Sequence, residues 1–258
     1  MTQRIVVKVG SNVLTRSDGK LDVTRMSALV DQIALLRKEG YEIILVSSGA
    51  MASGRGELKV DHDLDSVEQR QLFSAVGQGK LIGLYYDLFR EYGIHVGQVL
   101  TMKENFNAGE QYRNQQACMT VMLGNNVLPI VNENDTVSIT ELMFTDNDEL
   151  SGLIAMMMKA DVLVLLSNID GVYDGHPDVP TSKLIKRVEP GTDLSQYIKE
   201  EKSAFGRGGM HSKYTTAQKM QGEGIRVIIA NGERENILVD LIHNRQDIPH
   251  TEFLPKCN

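Results

Sequence analysis

Apolar and polar positions along this chain fall into blocks rather than strict alternation. Short β-branched apolar runs at 4–8, 43–47, 94–100, 127–131, 161–166 and 225–230 predict strands, most of them solid enough to be buried on both faces. Between them the spacing becomes helical. At 24–39, Met26, Leu29, Val30, Ile33 and Leu36 share one stripe, and Gly40 supplies the stop. Segments 113–123, 147–159 and 211–221 predict further helices, and 66–92 predicts one long or broken helix, interrupted near Gly77-Gln78-Gly79. Strands that alternate with helices argue for an α/β fold with a parallel sheet covered on both faces. With no linker, repeat or low-complexity stretch between them, one domain over 1–258 is the simplest organisation. Residues 101–113 and 170–209 are long irregular excursions, and loops of that length in a folded domain usually serve a function.

Composition narrows the classes. The 258 residues are 41% apolar and 24% charged, an ordinary globular balance. A net charge of −7 argues against a general nucleic-acid or anionic-membrane surface, so any anionic ligand has to be held locally. Cys118 and Cys257 have neither disulfide nor metal spacing, which fits a reduced cytoplasm. No signal peptide and no apolar run of transmembrane length is visible.

The polar clusters gather just after predicted strands. Gly10-Ser11-Asn12, Ser47-Ser48-Gly49-Ala50, Asn132-Glu133-Asn134-Asp135 and Ser167-Asn168 each follow one. In open parallel sheets, ligands bind outside the carboxyl ends of the strands. Four such clusters on one edge favour a site over unrelated polar loops. Lys8 ends a buried strand, where a lysine needs a partner; a structural salt bridge is the competing reading. Lys213 lies in the first turn of a predicted helix, after a glycine-rich stretch that includes Arg207, Gly208 and Gly209. A cation is disfavoured there unless an anion answers it. Asp146-Asn147-Asp148 opens another helix, and capping accounts for only one of the three. The chain contains no G-x-x-x-x-G-K-[ST], no G-x-G-x-x-G after the first strand, no G-x-S-x-G and no EF-hand loop. Two lysines beside exposed backbone amides therefore point to a phosphoryl-transfer site of another kind.

The motifs Val6-Val7-Lys8-Val9-Gly10-Ser11-Asn12, Val46-Ser47-Ser48-Gly49-Ala50, the run 93–100, the run 131–137, the run 145–151 and Gly208-Gly209-Met210-His211-Ser212-Lys213 occur in one order. Together they resemble the glutamate 5-kinases of the amino acid kinase family, over almost the whole chain. The resemblance implies a three-layer αβα sandwich with a mainly parallel sheet. It implies ATP with Mg²⁺ held mainly by the nucleotide phosphates, and L-glutamate as acceptor in the first step of proline synthesis. Proline feedback inhibition and a homo-oligomer, dimer or tetramer, are implied too. Lys8 and Lys213 match the lysines on the transferring phosphoryl group, and Asp148 the aspartate that organises them. Ser48, Asp135 and Asn147 match glutamate-binding positions, and Gly49, Ala50, Asn132 and Asp146 beside them are assigned to the acceptor side. Gly10, Ser11, Ser167, Asn168 and the segment from Arg207 through Met210, His211 and Ser212 to Lys213 match the nucleotide side. Two departures stand out: Ser167-Asn168 replaces the usual Thr-Asp, and the sequence leaves no room for the C-terminal RNA-binding-type (PUA) domain of many members. Rival readings are a kinase of the same family acting on N-acetylglutamate, aspartate, carbamate or UMP, and a non-catalytic amino-acid sensor.

Overall fold

The apolar runs form the centre of one eight-stranded sheet. Its strands are β1 (Arg4–Val9), β2 (Glu42–Ser47), β3 (His95–Thr101), β4 (Val127–Glu133), β5 (Val162–Ser167), β6 (Arg187–Val188), β7 (Arg226–Asn231) and β8 (His250–Phe253), in the order β3-β4-β2-β1-β5-β7-β8-β6. All pairings are parallel except β7 with β8. The structure, a computed structural model, describes residues 2–138, 144, 146–198 and 209–256.

Successive side chains of a strand point to opposite faces, and here each face finds helices. Ile5, Val7 and Val9 pack with α1 (Ser11–Leu14), α2 (Val23–Lys38), α4 (Ser66–Arg90) and α8 (Ile237–Ile242). Val6 packs on the other face with residues of α5 (Glu110–Gly124), α6 (Asn147–Met157) and α7 (Met210–Gly222). The result is the three-layer αβα arrangement with a mainly parallel sheet. The same alternation sends Lys8 to the face of Val6, toward α6 and α7.

The strands and helices that the pattern predicts are present with ends shifted by a few residues. One expectation fails. Helix α4 runs unbroken through Gly77-Gln78-Gly79. Gly77 serves helix contact rather than a break: a Cβ there would lie 1.8 Å from the Ala50 carbonyl oxygen of α3 (Ala50–Glu57), and one on Gly54 would lie 1.8 Å from the Phe73 carbonyl oxygen. The two helices thus touch backbone to backbone. The short elements α1, α3, α8, β6 and β8 give no periodic signal of their own. Among the described residues of the expected excursions are 3₁₀ turns at Lys103–Phe106 and Ser195–Tyr197.

Candidate active site

β1 divides the carboxyl edge of the sheet. β2 and β4 lie on one side of it and β5 on the other, so the chain reverses its strand order at β1. That is where an open parallel sheet leaves a crevice. A cleft of about 690 Å³ opens there, within the range of small-molecule sites.

At its floor, Lys8 and Lys213 meet on one carboxylate. Lys8 Nζ lies 2.6 Å from Asp148 Oδ1, and Lys213 Nζ donates to Asp148 Oδ2 at 3.0 Å. Asp148 is fully buried, and the lysines are only 4% and 6% exposed. Burial by itself would raise the Asp148 carboxyl, but the two ammoniums outweigh it and hold the group below the usual carboxylate range. Burial lowers the Lys8 ammonium, Lys213 adds to that, and Asp148 opposes without cancelling it. Asp146, itself buried and close enough to Lys8 to help hold its ammonium up, adds a second carboxylate, so two lysines and two aspartates share this small buried volume. Buried ion pairs seldom repay their desolvation, so two lysines and two carboxylates buried beside a cleft are better explained by a ligand than by stability.

The elements hold the triad tightly. Gly10 follows β1, and its N–H donates to the Leu166 carbonyl of β5. A Cβ there would stand 3.5 Å from Lys8 Nζ. Asp146 caps α6, accepting from the N–H groups of Asp148 and Glu149, which fixes the helix turn that carries Asp148. Burial raises the Asp146 carboxyl and neighbouring Asp148 adds to the rise, while the Ser212 hydroxyl and Lys8 oppose it.

On the β2/β4 side, Gly49 adopts φ +106 at the start of α3, a conformation that favours glycine. Beside it, Asn147 Nδ2 donates to Ser48 Oγ at 2.9 Å and to Asn132 Oδ1 at 3.0 Å, and Asn132 Nδ2 donates to Gln78 Oε1 at 2.9 Å. Behind Ser48, the Tyr85 hydroxyl meets Ser47 Oγ at 2.9 Å, and burial pushes its phenol up to about 12. Asp135 also lines this half. It is held by Arg70, whose Nε donates to Asp135 Oδ1 at 2.7 Å. Arg70 and Gln78 are absent from the residues that the motifs single out. Both sit on a helix whose sequence gives only a core stripe, and a lone arginine in such a helix reads as solvated surface.

On the β5 side, Ser167, Asn168, Gly209 and Met210 line the cleft with the loop that runs on to Pro177. Ser11 and Ala50 line it as well. His211 is exposed and does not line it, and neither does Ser212, which lies toward Asp146. Arg207 and Gly208 lie outside the described residues. Among the described residues no group of three or more His, Cys, Asp and Glu side chains is arranged to hold a metal ion.

Comparison with known proteins places this geometry. Residues 3–231 match the amino acid kinase family. A glutamate 5-kinase of Bacteroides thetaiotaomicron is 66% identical over 98% of this chain and 70% of its own length. The glutamate 5-kinase of Chlorobaculum tepidum is 48% identical over 93% of this chain and 66% of its own. Among solved structures, a carbamate kinase from Giardia lamblia bound to AMP-PNP superposes with a TM-score of 0.69 over 99% of both chains at 16% identity, a likeness of fold. No described helix is long and apolar enough to cross a membrane.

Proposed function

The chain belongs to the amino acid kinase family, and on that premise we propose that it transfers the γ-phosphoryl group of ATP to the side-chain carboxylate of L-glutamate. The observation that carries this reading is the buried triad of Lys8, Asp148 and Lys213, set between an amide- and carboxylate-lined half and a loop-lined half of one cleft. The identity with the two glutamate 5-kinases supports the choice of acceptor.

The side-chain carboxyl of free glutamate ionises near pH 4.3, roughly, so it is an anion at neutral pH and needs no base. A carboxylate oxygen attacks the γ-phosphorus, the bond to the β–γ bridging oxygen breaks, and ADP leaves with that electron pair. The obstacle is the approach of an anion to a polyanion. Lys8 and Lys213 answer it with two ammoniums directed by the two oxygens of Asp148, so both are in place before charge shifts onto the phosphoryl oxygens. Asp148 is covered by the lysines and acts through them, as a positioning residue. Mg²⁺ bound to the nucleotide would neutralise phosphate charge, and no step is assigned to a protein ligand for it. Asp135 is the carboxylate proposed to receive the α-ammonium, with Ser48, Asn132 and Asn147 supplying polar neighbours. An N-acetylated amine brings no cation to that place, which favours glutamate over N-acetylglutamate. Proline inhibition, a homo-oligomeric assembly and a cytoplasmic setting belong to this proposal only through the family resemblance.

The test is an ADP-release assay with ATP, Mg²⁺ and glutamate, with the acyl phosphate trapped as its hydroxamate. Turnover with glutamate and none with N-acetylglutamate, aspartate, carbamate or UMP is the expected result; the reverse preference would replace this reading. Asp135→Ala is expected to raise the KM for glutamate at least tenfold, the scale of one lost charge-assisted contact of about 1.5–3 kcal/mol, and to leave the KM for ATP near its starting value. Equal rises in both would move Asp135 out of the acceptor half. At the β5 tip, Asn168→Asp is expected to keep the KM for ATP within about threefold, because the replacement has nearly the same shape and restores the residue usual in the family. A collapse of nucleotide affinity in that variant would show that Asn168 answers a constraint of its own.

A further inference from the structure

The acceptor half contains a cation as well as carboxylates. Arg70 rises from the second turn of α4, whose start is fixed by a capping box: Asp65 accepts from the N–H groups of Val67 and Glu68, and the Glu68 side chain accepts from the Asp65 N–H. Its guanidinium lies between two carboxylates, 2.7 Å from Asp135 Oδ1 and 2.9 Å from Glu133 Oε2. The side chains of Arg70, Glu133 and Asp135 are 11%, 2% and 15% exposed, and all three line the cleft. Glu133 is committed elsewhere as well: it accepts from Ser138 Oγ at 2.8 Å and from the Phe144 N–H at 3.1 Å. One residue on from Arg70, Gln71 Nε2 donates to the Thr136 carbonyl at 2.8 Å. Helix α4 therefore grips the segment that carries Asp135 at two points.

We propose that Arg70 is a positioning residue that holds the Asp135 carboxylate in place for the α-ammonium of the acceptor. This rests on the glutamate reading above. Two carboxylates facing one site without a cation would repel each other. With Arg70 between them the two carboxylates are held side by side. Glu133 anchors the guanidinium from the other side, and its rigid fork directs the Asp135 carboxylate. A lysine could supply the charge there but not the fork.

The test compares Arg70→Gln and Arg70→Lys with the wild-type protein, using glutamate and glutarate, the same acceptor without its amine. Arg70→Gln is expected to raise the KM for glutamate at least tenfold while kcat and the KM for ATP stay within about threefold. On glutarate the same substitution is expected to change kcat/KM by less than about threefold, since no ammonium is there to lose. Arg70→Lys is expected to recover part of the loss on glutamate. An unchanged KM for glutamate, or an equal loss on both acceptors, would overturn the proposal. If Arg70→Gln fails to fold, Arg70→Lys decides: a KM for glutamate raised by less than twofold overturns it, and a rise of threefold or more, with ATP unaffected, supports it. Absence of any glutamate turnover by the wild-type protein would remove the functional reading and this proposal with it.

Discussion

Replacing either Lys8 or Lys213 with alanine is expected to lower kcat by about a hundredfold or more, the scale for one lost group that stabilises transition-state charge. The structure makes this a clean experiment. Asp148 holds one ammonium on each oxygen, so removing either lysine leaves the buried carboxylate with the other. The damage should appear in turnover and not as collapse of the fold, which a thermal midpoint recorded alongside will show. Near-normal kcat in either variant would remove that lysine from the reaction. Asp148→Asn is the companion measurement. Burial already lowers the Lys8 ammonium, and Asp148 is what opposes it. Lys8 is charged below its pKa and loses its charge as the pH rises through it. Without Asp148 that pKa falls further, so the alkaline limb of the kcat profile should move to lower pH. A limb that stays in place would mean that Lys8 is not the group that titrates.

Gly77→Ala is expected to destabilise the protein by about 3 kcal/mol or more, at or beyond the upper end for overpacking in a filled core. The added methyl would sit 1.8 Å from the Ala50 carbonyl oxygen and 2.3 Å from the Gly54 nitrogen. Both are backbone atoms, which no rotamer change relieves. Relief requires α3 and α4 to part, and α3 begins at the Ser48-Gly49-Ala50 turn while α4 carries Arg70 and Gln78. A rise in the KM for glutamate should therefore accompany the fall in the denaturant midpoint. Wild-type stability in this variant would show that the two helices have room to separate.

These two variants mark what a single sequence conveys. Lys8 could be flagged because a charged residue at the end of a buried apolar run is rare and sits beside Gly10. The layers were legible for the same reason: solid runs in β1, β2 and β5 leave no face for solvent. Gly77 was legible as an oddity and misread as a break, because close helix contact and helix interruption place the same residue in the sequence. Nothing local distinguishes them; the difference lies in α3, which is too short to show a period. Arg70 was silent because its meaning depends on Glu133 and Asp135, which only the paired sheet brings near. The meeting of Lys8 with Asp148 and Lys213 is of the same tertiary kind, and there the family motifs supplied what periodicity could not.

The place of β1 at the middle of the sheet has a further consequence for how the protein is made. β1 is made before the other strands of the sheet, yet one of its two neighbours is β5, which begins at Val162. At about 5–20 residues per second, roughly 8 to 30 s separate the two strands during synthesis. For that time β1 and β2 can pair, but the other edge of β1, apolar on both faces, has no strand to meet. The nascent chain is then at its most prone to misassociation. The loop closures needed to complete the centre of the sheet are long, so folding should be slow for a chain of this size. Its yield should respond to chaperone supply and temperature more than the mature protein's stability would suggest.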